Sequence, residues 1–95
     1  MKRLIKITVT QKLLEIDSDS YKKEIGKEVT TENYQWSDNE RDAIGKAMAE
    51  YINIGLDDPN PASKKTLLER KETSMKIRGY YKGIRAVIGF SFIAK

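Results

Sequence analysis

Six serines, Ser18, Ser20, Ser37, Ser63, Ser74 and Ser91, are the obvious nucleophiles of this chain, and no imidazole is present to activate one. The sequence contains neither histidine nor cysteine. Their absence removes the commonest general base and the commonest transition-metal ligand, together with thiolate chemistry, disulfides and zinc–sulfur sites. No G-x-x-x-x-G-K-[ST] or G-x-G-x-x-G loop occurs to cradle nucleotide phosphates. Asp17, Asp19 and Glu28 fall at the first, third and last ligand positions of a calcium-loop register. That register fails inside, where Tyr21 replaces an oxygen ligand and Lys22 stands in place of the turn glycine. Asp57 and Asp58 precede Pro59 and read as turn formers before magnesium ligands. The expectation is no enzyme, no metal and no cofactor.

Ionic chemistry remains. The chain carries 18 Lys+Arg against 14 Asp+Glu, a formal net charge of +4, and the excess is not evenly spread. Residues 1–60 hold 9 basic and 12 acidic side chains, whereas residues 61–95 hold 9 basic ones and only Glu69 and Glu72. Such asymmetry points to a polyanion or an acidic partner surface, although a solvated basic face that binds nothing has the same composition. Within the basic third, Lys76, Arg78, Tyr80 and Lys82 share one parity of an alternating segment, and Arg85 lies just across a Lys82-Gly83 turn. Cations set around a ring neutralise phosphate while the ring offers a stacking face to an unpaired base. Lys64, Lys65, Arg70 and Lys71 widen this patch if they fold onto the same side. For Tyr80 and Tyr81 a structural role is equally open, one ring facing the core and the other lying beside lysine stems. No aromatic RNA-binding signature, KH loop or recognition-helix pattern accompanies the cations.

The elements that must position these residues are legible in part. Ile5, Ile7 and Val9 alternate with Lys6, Thr8 and Thr10, as a half-buried strand requires. The apolar phase then passes through Leu13 to Leu14 and Ile16, so either a bulge flips the faces or the strand ends near Gln11. Asp17 to Ser20 is turn chemistry. Tyr21 to Trp36 reads as irregular structure with one short strand, or as helical turns around Tyr21–Ile25 and Thr31–Tyr34. Ser37-Asp38-Asn39-Glu40 has the form of a capping box. Ala43, Ile44, Ala47, Met48, Tyr51 and Ile52 follow as one apolar stripe of a helix over 38–54, ended by Gly55. Asp42 and Lys46 are set for an i,i+4 ion pair. Asp57 to Pro61 is a rigid loop, and the stretch after it suits either a short second helix or a polar strand. Met75, Ile77, Gly79 and Tyr81 alternate up to the turn, and Ile84, Ala86, Ile88, Phe90, Phe92 and Ala94 alternate after it, which makes a β-hairpin. Val87 and Ile93 render its second strand apolar on both faces, the mark of a central strand.

The expected fold is therefore a single α+β domain over 1–95. Three to five mostly antiparallel strands carry one main amphipathic helix on one face, with a hairpin at the C-terminal end. Ile5, Ile7, Val9, Ile44, Met48, Ile52, Ile77, Ile88, Phe90 and Phe92 are its expected core. No signal-peptide pattern and no span long enough for a bilayer occur, so a cytoplasmic protein without membrane contact is expected. The expected function is non-enzymatic binding of nucleic acid, or of a nucleoprotein complex, through Lys64, Lys65, Arg70, Lys71, Lys76, Arg78, Tyr80, Lys82 and Arg85. The alternative is a stoichiometric inhibitor of a host nuclease complex, a phage or mobile-element accessory of anti-CRISPR type. It would grip an acidic protein surface in place of free nucleic acid.

Overall fold

Alternation of β-branched and polar residues turns most of this chain into strand. The computed structural model describes residues 1–54 and 66–94. It shows β1 (Arg3–Ile16), a 3-10 helix (Asp19–Glu24), β2 (Glu28–Ser37), α1 (Glu40–Ile54), β3 (Thr66–Arg70), β4 (Ser74–Tyr81) and β5 (Ile84–Ala94). The strands form one sheet in the order β2-β1-β5-β4-β3, antiparallel throughout. The α+β architecture, the single main helix and the β4–β5 hairpin are those expected, and β5 occupies the centre of the sheet. No helix among the described residues is long and apolar enough to cross a membrane.

One face of the sheet is covered. Ile5, Ile7, Val9 and Leu13 of β1, Met75 and Ile77 of β4, and Ala86, Ile88, Phe90 and Phe92 of β5 form one buried cluster with Ala43, Ile44, Ala47 and Met48 of α1. The two alanines let the helix backbone approach the strands, and Ile52, expected in the core, packs at its margin. Tyr51 closes the seam. Its ring sits 5.6 Å from Phe90 and 5.8 Å from Phe92, and its hydroxyl is 2.8 Å from Thr31 Oγ1. Tyr21 of the 3-10 helix, Tyr81 and Ile84 pack against the same cluster.

The phase change in β1 is a bulge. Its register with β5 shifts between Leu13 and Glu15, so Ile16 returns to the covered face opposite Ala86. Leu14 instead lies over Gly89, with Cδ1 3.1 Å from where a Cβ would stand.

Two local expectations need correction. Residues 28–37 form a ten-residue strand, with no helical turn at Thr31–Tyr34. Its covered-face row, Thr31, Asn33 and Gln35, is polar because it meets polar groups of α1. Asn33 Nδ2 and Gln35 Nε2 each donate to the Glu50 carboxylate at 2.9 Å. These bonds, Gln35 first, hold the Glu50 carboxyl below its ordinary range.

The helix cap is also displaced by two residues from the Ser37 box. Asn39 Oδ1 accepts from the Asp42 amide at 2.8 Å, which makes Asn39 the N-cap. Ser37 is fully buried and has one proton to give. The Asp42 carboxylate at 2.6 Å is a better acceptor than the Asn39 carbonyl at 2.9 Å, because charge-assisted bonds are shorter and stronger. That bond, helped by Lys46 at 3.3 Å, holds the Asp42 carboxyl low.

Candidate nucleic-acid interface

The opposite face of the sheet has no helix over it among the described residues. Its composition follows from pairing register. Even-numbered positions of β2 and of β1 as far as Leu14 point there, followed by Glu15 beyond the bulge, as do Arg85, Val87, Gly89, Ser91 and Ile93 of β5 and Lys76, Arg78 and Tyr80 of β4. Three zones result.

The first zone is cationic. Arg78 pairs in register with Val87, and Tyr80 with Arg85, so the ring is flanked by two guanidinium groups. Neither arginine has an ion pair or a side-chain hydrogen bond among the described residues. A groove of about 460 Å³ opens beside them, lined by Glu15, Ile16, Asp17, Ile25, Arg78, Arg85, Ala86 and Val87. Glu15 and Asp17 share this groove without closing an ion pair to either arginine. Lys76 lies next along β4, and Glu69 answers it at 3.5 Å while also taking Lys71 at 3.2 Å. Two ammonium groups on one carboxylate leave one positive charge over and hold the Glu69 carboxyl low, Lys71 contributing most.

The second zone is a lane of hydroxyls. Thr10 stands between Thr30 of β2 and Ser91 of β5, with Thr8 the next outward position along β1.

The third zone is aromatic and apolar. Leu4 pairs with Trp36, Lys6 with Tyr34, and Thr8 with both Glu32 and Ile93. Leu4, Tyr34, Trp36 and Ile93 are all more than half exposed. Tyr34 donates its hydroxyl to Glu32 at 2.9 Å, and Glu32 takes Lys6 at 3.0 Å. The Glu32 carboxylate raises both the Tyr34 and the Lys6 pKa. Lys46 Nζ reaches around the sheet edge and donates to the Trp36 carbonyl at 2.8 Å.

The residues expected to bind are thus not all brought together. Lys76, Arg78, Tyr80 and Arg85 share the open face. Lys82 does not, because strand alternation ends at Tyr81 and the turn takes Lys82 into the left-handed region, with φ of 52° there and 79° at Gly83. Its ammonium lies 3.4 Å from Glu24 and 5.4 Å from the ring centres of Tyr21 and Tyr81. The Glu24 carboxylate raises its pKa. Arg70 pairs with Met75 and so belongs to the covered face. Its Nη2 is 3.9 Å from where a Cβ on Gly45 would stand. Lys71 joins the open face only through Glu69. Lys64 and Lys65 lie outside the described residues, as do Gly55 and the loop from Asp57 to Pro61.

The sequence alone does not single out Trp36 and Tyr34 as site residues, because the covered row of their strand is polar and leaves no apolar alternation. Ser20 and Lys23 have the spacing of a serine–lysine pair, but both are exposed on the 3-10 helix and no hydrogen bond joins them. Among the described residues no three carboxylates converge. Compared with protein-family models, with curated proteins and with solved structures, the chain matches none of them.

Proposed function

We propose that this protein is a non-enzymatic binding module that engages nucleic acid, free or within a nucleic-acid-processing complex, through the cationic end of its open sheet face. One observation carries the reading: Arg78 and Arg85 flank Tyr80 on an uncovered face with no carboxylate paired to them among the described residues. Guanidinium groups left without a partner are the ones that neutralise phosphate and release its counterions.

A salt titration tests it. Binding of an oligonucleotide should weaken steeply between about 50 and 200 mM salt. Replacing Arg78 and Arg85 by Ser should flatten the log–log slope by about two units. Lys82→Ser should leave the slope nearly unchanged, since its ammonium is held by Glu24. Affinity that is absent, or indifferent to salt and to both arginines, removes the reading.

The second reading, a stoichiometric inhibitor that binds protein, draws support from the ion pairs of Lys6, Lys12, Lys76 and Lys82. Interspersed charges of both signs suit a protein rim better than a polyanion. That reading forecasts no affinity for naked nucleic acid at moderate salt and a tight complex with a protein target.

A further inference from the structure

Resting on the nucleic-acid reading, we infer that the ligand is single-stranded, with unpaired bases stacked on Trp36 and Tyr34 at the end of the open face opposite the arginines.

Charge divides along this face. At one end Arg78 and Arg85 close no ion pair with the Glu15 and Asp17 that share their groove, whereas at the aromatic end Lys6 and Glu32 cancel each other at 3.0 Å. A phosphate gains nothing from a neutralised pair. A base, being uncharged and flat, loses nothing there and gains a ring to stack on. Trp36 is 62% exposed and Tyr34 52%, with Leu4 at 52% directly opposite Trp36, and Ile93 at 56% lies two strands away opposite Thr8. Exposed rings and an aliphatic neighbour on a face left open among the described residues mark a contact surface.

The strand that carries the two rings is also held in place before any ligand arrives. Glu32 pins the Tyr34 hydroxyl, Lys46 pins the Trp36 carbonyl, and the β1–β2 register runs unbroken from Arg3 opposite Ser37 to Lys12 opposite Glu28. Stacking on the Tyr34 ring, whose hydroxyl is already bonded, costs little ordering entropy. Between the two ends, Thr8, Thr10, Thr30 and Ser91 offer hydroxyls to sugar and phosphate oxygens, the contacts that position a strand without reading its sequence. A duplex keeps its base faces stacked inside and cannot use the rings.

Length makes the inference specific. From the Leu4–Trp36 pair to the Glu15–Val87–Arg78 row is ten or eleven steps along β1, roughly 30–35 Å. About ten nucleotides span that distance at the ~3.4 Å rise of a fully stacked strand, and fewer once bases splay onto the rings and extend the backbone.

Trp36 is the chain's one tryptophan, so its fluorescence reports on the platform alone. The full chain is titrated with a mixed-sequence single strand of about twelve nucleotides, with its duplex, and with inorganic polyphosphate of matched charge. The expected result is salt-dependent binding of the single strand with quenched Trp36 emission. Polyphosphate should bind without quenching, and the duplex should bind more weakly without quenching. Trp36→Ala should weaken single-strand binding about ten- to a hundredfold and leave polyphosphate binding unchanged, while Trp36→Phe should retain most of the affinity. Unchanged far-ultraviolet circular dichroism in both variants certifies the fold.

Salt-dependent single-strand binding without quenching, or with Trp36→Ala as tight as the parent, overturns the stacking platform and leaves the arginine site standing. Tighter binding of the duplex overturns it too. Failure of every polyanion to bind overturns the nucleic-acid reading itself and the platform with it.

Discussion

Strand β5 is apolar on both sides, and its two rows have opposite surroundings. Ala86, Ile88, Phe90 and Phe92 lie under α1 and the 3-10 helix, each 3% exposed or less. Val87, Gly89, Ser91 and Ile93 line the open face, where Ile93 is 56% exposed. The covered row gains by excluding water. On the open row, burial is local: Val87 is shielded between the Arg78 and Glu15 positions that flank it in register. The same division sorts the cations. Lys82, turned towards the covered side, is committed to Glu24 and two tyrosines, while Arg78 and Arg85 on the open side are committed to nothing described. Stability in this protein is concentrated on one face, which leaves the other free to change without unfolding the domain.

Met48→Asp tests that asymmetry hardest. Met48 is 1% exposed in the helix–sheet seam, and an unpaired carboxylate there should cost about 3–5 kcal/mol, enough to unfold a domain of this size. A melting temperature within a degree or two of the parent's, measured by circular dichroism, would mean that the covered face is not the stable one.

Ser37→Ala comes next. Loss of its buried hydroxyl should destabilise by about 1–2 kcal/mol in chemical denaturation, and should let the Asp42 pKa rise towards its ordinary value in an NMR titration. The sign for pH follows. Asp42 and Glu50 are both held lower in the folded chain than in the unfolded one. The stability they add is therefore present above the ordinary carboxylate range, about pH 4, and is lost as pH falls through their folded values. An Asp42 titration unmoved by the substitution would break the link to Ser37.

Asn39→Ala removes the N-cap acceptor and should cost about 1 kcal/mol, whereas Asn39→Gly should cost only a few tenths. Equal stability in all three proteins would place the helix start elsewhere. The smallest effect belongs to the open face. The Arg78→Ser, Arg85→Ser double variant should stay within about 0.5 kcal/mol of the parent, and a large loss of stability would show those arginines to be structural.

Legibility in the sequence followed the same division. Where one row of a strand or helix is apolar, as in β1, α1, β4 and β5, period and partner could both be read, including the central place of β5. The bulge in β1 was visible as a change of apolar phase at Leu13 and Leu14. β2 was not legible because Thr31, Asn33 and Gln35 meet Tyr51 and Glu50 through hydrogen bonds, and a polar row facing polar groups leaves no hydrophobic period. The same silence hid Trp36 and Tyr34. Alternation placed Lys76, Arg78 and Tyr80 on one face, but it says nothing past a turn, and so Lys82 was misplaced. Arg70 has the parity of Met75 across a bulged ladder, where Leu67 and Glu69 shift register, and that shift cannot be counted from β3 alone.

The β1–β5 seam has a kinetic consequence. Ile7 pairs with Ala94 and Ile16 with Ala86, so each ladder contact at the centre of the sheet closes a loop of most of the chain. Such topologies fold slowly, in about milliseconds to seconds, because closure entropy is spent before the distant contacts form. On the ribosome, β1, β2 and α1 emerge with one side of β1 still lacking its partner, and Phe90 and Phe92, the residues that fill the space beneath Tyr51, are made only after all three. The N-terminal half must therefore wait, with Ile5, Ile7 and Val9 only partly covered, until β5 is released to insert between β1 and β4.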